Sequence, residues 1–122
     1  MTTTTPPSPG HKRGDVVLVL FPNSDLETAK TRPALVIQAD SLQSGLPQVI
    51  VCMITGRMFR ANHPSRITVN PRTAEGQASG LLTDSVIMTD NMATIGDLAI
   101  ARIIGKLPMP AVDAALRHTL AL

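Results

Sequence analysis

The apolar residues of this chain come in short runs, each broken by proline, glycine or a polar cluster before it grows long enough for a helix. Val16 to Phe21 is β-branched and aliphatic and stops at Pro22, which cannot donate to a ladder. Pro33 to Gln38 opens on a proline, tolerable at a strand's first residue, and Val49 to Ile54 follows Pro47-Gln48. Arg66-Ile67-Thr68-Val69 alternates polar and apolar, the period of a half-buried strand. Leu81-Leu82, Ser85 to Met88 and Ala101 to Ile104 supply further strand material, with Thr94 to Asp97 as a connector. Asn23 to Thr31 and Asn70 to Gly80 read as loops, and Thr55 to Pro64 as an irregular stretch punctuated by Gly56 and Pro64. Only the end reads as helix: Pro108 and Pro110 suit a first turn, Asp113 favours an N-terminal turn, and Val112, Leu116 and Leu120 repeat on one face. The expectation is a mostly β fold, a small and strongly curved sheet or barrel, with a C-terminal α-helix packed on it. Neither an internal repeat nor a βαβ alternation is visible.

A length of 122 residues suits one domain. Residues 1–12, rich in Thr, Pro and Ser, have nothing to bury and are expected to form a disordered tail, leaving 13–122 as the folded unit. The core must be aliphatic, because the chain has no Trp, no Tyr and only Phe21 and Phe59. A lone Cys52 inside an apolar run reads as a small buried hydrophobe. No apolar run approaches the roughly 20 residues that cross a bilayer, and no signal-peptide segment is visible. The expectation is a soluble cytoplasmic protein with no membrane partner.

The net charge of +2 suits a polyanionic partner, and its distribution says more. Between Asp40 and Glu75 no acidic residue occurs, while Arg57, Arg60, Arg66 and Arg72 all fall there together with His63. Such a segment is either a phosphate-binding surface or an ordinary solvated loop and strand edge. Nucleotide-binding glycine loops, the nucleophile elbow and the HExxH zinc motif are all missing, and one Cys with three scattered His is a poor zinc set. Neither cofactor nor metal is expected. Two residues at strand ends attract attention. Arg32 can present its fork of donors to a phosphate or form a salt bridge with Asp25 or Glu27, and Thr55 is followed by Gly56, which lets a backbone approach a ligand or simply makes a turn.

Arg13-Gly14-Asp15-Val16-Val17, Lys30-Thr31-Arg32-Pro33-Ala34-Leu35-Val36-Ile37 and Ile54-Thr55 resemble the opening of MazF/PemK toxins. Asp84-Ser85-Val86-Ile87, Thr94-Ile95 and Ile104-Gly105-Lys106-Leu107 are similar to that family's later elements, in the same order. The likeness runs from about Arg13 to Leu120. It implies an SH3-like barrel with a C-terminal helix, a two-fold homodimer, metal-independent cleavage of single-stranded RNA at short sequences, and a cognate antitoxin whose disordered segment fills the RNA groove. Arg32 and Thr55 match the family's catalytic arginine and threonine, and Asp90-Asn91 falls where members carry an acid followed by an amide. Asp90 is the base expected here, with Glu27 as the fallback; relatives that place a histidine after the first strand differ, since Pro22 to Thr31 contains none. Lys30, Gly56, Arg57, Arg60 and Asn91 complete the expected RNA-binding set. Two other functions fit the same barrel: a CcdB-like poison that binds gyrase without catalysis, and a module that holds nucleic acid without cutting it.

Overall fold

The Val-rich and Ile-rich runs become neighbouring strands. A computed structural model describes residues 10–22, 25 and 27–122. β1 (Asp15–Pro22), β2 (Ala29–Val36), β3 (Gln48–Thr55), β4 (Arg66–Val69), β5 (Ser85–Gly96) and β6 (Ile100–Lys106) form one antiparallel sheet in the order β4-β5-β3-β2-β1-β6. Helix α2 (Pro110–Leu120) closes the chain, as its proline-led apolar face predicts. Of the tail expected over 1–12, residues 1–9 lie outside the described part, and His11 Nε2 shares a hydrogen bond with Asp97 Oδ1 at 3.2 Å.

β1, β3 and the second half of β2 read as apolar runs because both of their faces contribute to the core. Val16, Leu35, Cys52 and Ile54 point to one side, where they meet Ile87, Leu107 and Val112 of α2. Val17, Val19, Ala34, Val36, Val49 and Val51 point to the other, where Ile95 at the far end of β5 joins them. Cys52 is fully buried as expected, and desolvation pushes its thiol up to about 12, leaving it inert. On α2 Val112 and Ala115 are buried and Leu116 packs against the core, while Leu120 is largely exposed, because the last turn meets the sheet through Thr119 instead.

Leu81-Leu82, expected as strand material, lies in no strand: Leu81 is buried in the core and Leu82 is exposed, so the pair joins elements rather than a ladder. Three boundaries differ as well. β2 starts at Ala29, ahead of Pro33, because the β2–β3 ladder begins only at Ala34 and a proline is tolerated where that side is unpaired. The run 70–80, read as loop, holds the short helix α1 (Ala74–Ser79), whose Thr73 hydroxyl accepts from the Gly76 N–H. A helix of this length with an internal glycine carries almost no propensity signal; it is packing that holds it. Finally, Thr94 to Gly96 continues β5 instead of connecting strands.

β5 also carries the irregularity that shapes the site. Cys52 pairs with Met92 and the next residue, Met53, with Met88, so Thr89, Asp90 and Asn91 have no partner on β3. Thr89 pins this bulge: its buried hydroxyl donates to the Ser65 carbonyl at 2.6 Å and accepts from the Thr119 hydroxyl of α2 at 2.7 Å. Thr89→Val keeps the shape but removes both hydroxyl bonds, while the Ser65 carbonyl keeps the Thr89 N–H at 3.1 Å and the Thr119 hydroxyl keeps the Ala115 carbonyl at 2.9 Å. The expected loss is about 1 kcal/mol of unfolding free energy, measured by urea denaturation; an unchanged midpoint would show that the hydroxyl network does not hold the bulge.

Candidate functional site

The last paired rung between β2 and β3 is Ala34–Met53. Carrying that register two residues further sets Arg32 opposite Thr55, at the point where the strands part. A cleft of about 890 Å³ opens there, lined by Arg32, Thr55, Lys30, Gly56, Arg57, Arg60 and Asn91. Seven of the eight residues expected from sequence therefore meet in one place. Arg102 of β6 joins them. Among the described residues, five cations line the cleft and no carboxylate does.

Arg32 is exposed, and among the described residues no carboxylate lies within ion-pair distance of it. The competing salt bridge to Asp25 does not form. Asp25 instead accepts from the backbone N–H groups of Thr28 and Glu27 and from the Thr28 hydroxyl, which hold its carboxyl below the usual carboxylate range. Among the described residues nothing neutralises Arg32, so its planar fork of donors is open to a ligand. Thr55 Oγ1 accepts from the Arg57 N–H at 3.2 Å, leaving the hydroxyl proton free to donate outward. A Cβ on Gly56 would meet nothing within 4 Å, so the fold itself does not demand glycine there.

Asp90 is placed differently. It does not line the cleft but faces Arg66, with Nη2 donating to Oδ2 at 2.8 Å and Nε to Oδ1 at 3.4 Å. The Arg66 hydrogen bond holds the Asp90 carboxyl below its usual range, and a carboxylate so held is a poorer proton acceptor. This geometry runs against the base expected at Asp90. The pair acts on shape instead: Arg66 Nη1 donates to the Arg60 carbonyl at 3.2 Å, fixing the short 3-10 turn Met58–Arg60 beside the cleft. Because the folded carboxyl ionises below the unfolded value of 3.8, its contribution to stability is present above about pH 4 and is lost as pH falls through the folded value. Asp90→Asn is therefore expected to melt below wild type at pH 7, with the gap closing in acid; a gap independent of pH would show that the ion pair contributes nothing.

The rest of the basic segment divides in the same way. Arg57 and Arg60 line the cleft, Arg72 is exposed elsewhere, and His63 is occupied, its Nδ1 accepting from the Ser65 N–H at 3.1 Å and its ring meeting His118 edge-on at 6.2 Å. Glu27, the fallback base, is exposed and does not line the cleft. Arg102 escaped the sequence reading. Its only trace was a cation in the apolar run Ala101 to Ile104, and pairing of β6 with β1, Arg102 opposite Leu18, is what carries it to the cleft.

Residues 12–120 match the family of PemK-like, MazF-like toxins of type II toxin-antitoxin systems. The chain belongs to this family. The matched span of this PemK-like, MazF-like toxin contains every residue of the cleft. Solved structures agree on the fold. An endoribonuclease in complex with its cognate antitoxin, from a mycobacterial species, superposes with a TM-score of 0.69 at 18% identity, over 93% of this chain and 97% of the other. The Mycobacterium tuberculosis toxin MazF-mt6 gives 0.68 at 24% identity, over 88% and 97%. A MazE-MazF structure from Deinococcus radiodurans gives 0.69 at 17% identity, over 92% and 96%. The sheet order and terminal helix of the toxin are thus those of the MazF-like fold. No helix among its described residues is long and apolar enough to cross a membrane.

Proposed function

We propose that this toxin is a metal-independent endoribonuclease that cuts single-stranded RNA in the cytoplasm, arresting growth until its cognate antitoxin neutralises it. The observation that carries the reading is a cleft lined, among the described residues, by five cations and no carboxylate, with Arg32 opposite Thr55 and in no ion pair among them. RNA brings a phosphate to every nucleotide, and unneutralised arginines are where such a strand binds. The 2′-oxygen attacks the adjacent phosphorus as its proton leaves to water, the bond to the 5′-oxygen breaks, and that oxygen takes a proton from a water held by Arg32. The products are a 2′,3′-cyclic phosphate and a 5′-hydroxyl. Arg32 meets the charge that builds on the phosphorane, and Thr55 holds a non-bridging oxygen through its free hydroxyl proton. Lys30, Arg57, Arg60 and Asn91 hold the flanking strand, while Asp90 positions the turn through Arg66. The reading includes a homodimer with the RNA groove between subunits. Leu82 and Ile103, apolar and exposed on the cleft's lining, suit such a partner surface.

A second reading has one observation in its favour. Among the described residues no carboxylate or imidazole lines the cleft to take the 2′-hydroxyl proton, which fits a module that holds nucleic acid without cutting it. Incubating the protein with a long single-stranded RNA in EDTA and mapping the fragment ends separates the two. Cleavage at a recurrent short sequence, leaving cyclic phosphate and 5′-hydroxyl ends, is the expected result. Intact RNA that is nonetheless bound would favour the module, and intact, unbound RNA with growth still arrested on expression would move a protein target such as gyrase to the front.

A further inference from the structure

Phe59 is 79% exposed on the turn Met58–Arg60, outside the cleft's lining but flanked in sequence by Arg57 and Arg60, which line it. The chain has only two Phe and no Tyr or Trp, and Phe59 is the one such ring among the described side chains. An exposed apolar side chain needs no explanation by itself. This one, however, is mounted rigidly. Arg60 N–H donates to the Arg57 carbonyl and Ala61 N–H to the Met58 carbonyl, both at 3.0 Å, closing the turn. Arg66, held by Asp90, grips the Arg60 carbonyl from outside. At the start of the turn, the Arg57 N–H is tied to Thr55 Oγ1, so the ring's position is coupled to the residue set opposite Arg32. The Arg60 guanidinium lies 5.7 Å from the ring centroid while its Nη1 reaches Met88 Sδ at 3.6 Å, which fixes the cation over the ring.

We propose that Phe59 is a stacking platform for a nucleobase of the bound strand as it leaves the cleft, and that it favours a purine there. Unpaired bases stack on exposed aromatic rings, and larger bases stack more strongly. Arg60, over one face of the ring, leaves the other face for the base, and Arg57 and Arg60, which line the cleft, are available to the phosphates of the same strand, so the turn supplies both halves of a single-strand subsite. The ring touches no reacting atom. Its effect falls on binding and on sequence preference, not on the chemical step. The inference rests on the ribonuclease reading for the identity of the strand, but its test does not require cleavage.

The experiment uses short single-stranded RNAs carrying 2-aminopurine at successive positions, titrated with wild type, Phe59→Leu and Phe59→Trp, each checked by circular dichroism and for dimer formation. Stacking quenches 2-aminopurine. The expected result is one quenched position in wild type and Phe59→Trp, with quenching lost and binding weakened roughly 5- to 100-fold in Phe59→Leu. Cleavage by Phe59→Leu at saturating RNA should stay within about threefold of wild type, with the purine preference at the stacked position relaxed. Equal affinity and equal quenching for Leu and Phe would overturn the platform while leaving the ribonuclease reading intact, provided wild type still cuts. A Phe59→Leu effect confined to dimer or antitoxin binding would also overturn it, and absence of both RNA binding and cleavage in wild type would remove both proposals together.

Discussion

Arg32→Ala is expected to lower the cleavage rate at saturating RNA by about 10²–10³-fold, the usual effect of removing one preorganised donor from a developing oxyanion. The expectation is specific because Arg32 is exposed and, among the described residues, has no carboxylate partner, so its loss leaves no stranded charge and no cavity. The melting temperature should therefore stay within a degree or two of wild type. Arg32→Lys keeps the charge but not the planar fork, and is expected to recover only part of the rate. RNA cut by Arg32→Ala at the wild-type rate would remove Arg32 from the chemistry; a lost rate accompanied by a lower melting point would mean that the side chain supports the fold instead.

Gly80→Ala is expected to destabilise the protein by about 3 kcal/mol or more, measured as a shift of the urea midpoint with the slope unchanged. Two costs add there. Gly80 ends α1 at φ +74°, a left-handed conformation that a Cβ disfavours, and its N–H donates to the Gln77 carbonyl to cap the helix. A Cβ at that position would also lie 2.1 Å from the Ile104 carbonyl oxygen of β6, a backbone atom that can move only if the strand moves. Gly80 also lines the cleft, so the variant should lose RNA affinity along with stability. A near-neutral substitution would mean that α1 shifts freely against β6, contrary to the packing seen here.

Much of this architecture was legible in local pattern. The runs around Val17, Leu35 and Val51 become the central strands because β-branched residues on two buried faces fit little else, and the proline-led repeat ending near Leu120 becomes α2. Helix α1 was not legible. Its six residues include Gly76, whose Cβ would collide with the Asn70 carbonyl, and a glycine chosen for close approach looks in sequence like a loop residue.

Arg32 and Thr55 were visible through motifs that resemble one family, yet their meeting depends on how β2 and β3 align, since the ladder stops at Ala34–Met53 just short of them. Asp90 and Arg102 show the limit of sequence in opposite directions. A carboxylate beside an amide on a strand reads as an available base until β4 brings Arg66, 24 residues away, within 2.8 Å of it. An arginine in an apolar run reads as a solvated edge until β6 folds against β1. The sequence by itself determined most of the strands, the closing helix and the aliphatic core, because burial with period two or 3.6 is written locally. Which cations remain free for a ligand, and which are consumed by a neighbouring carboxylate, was decided only by the tertiary structure, because charge pairing follows distances between strands that lie far apart in the chain.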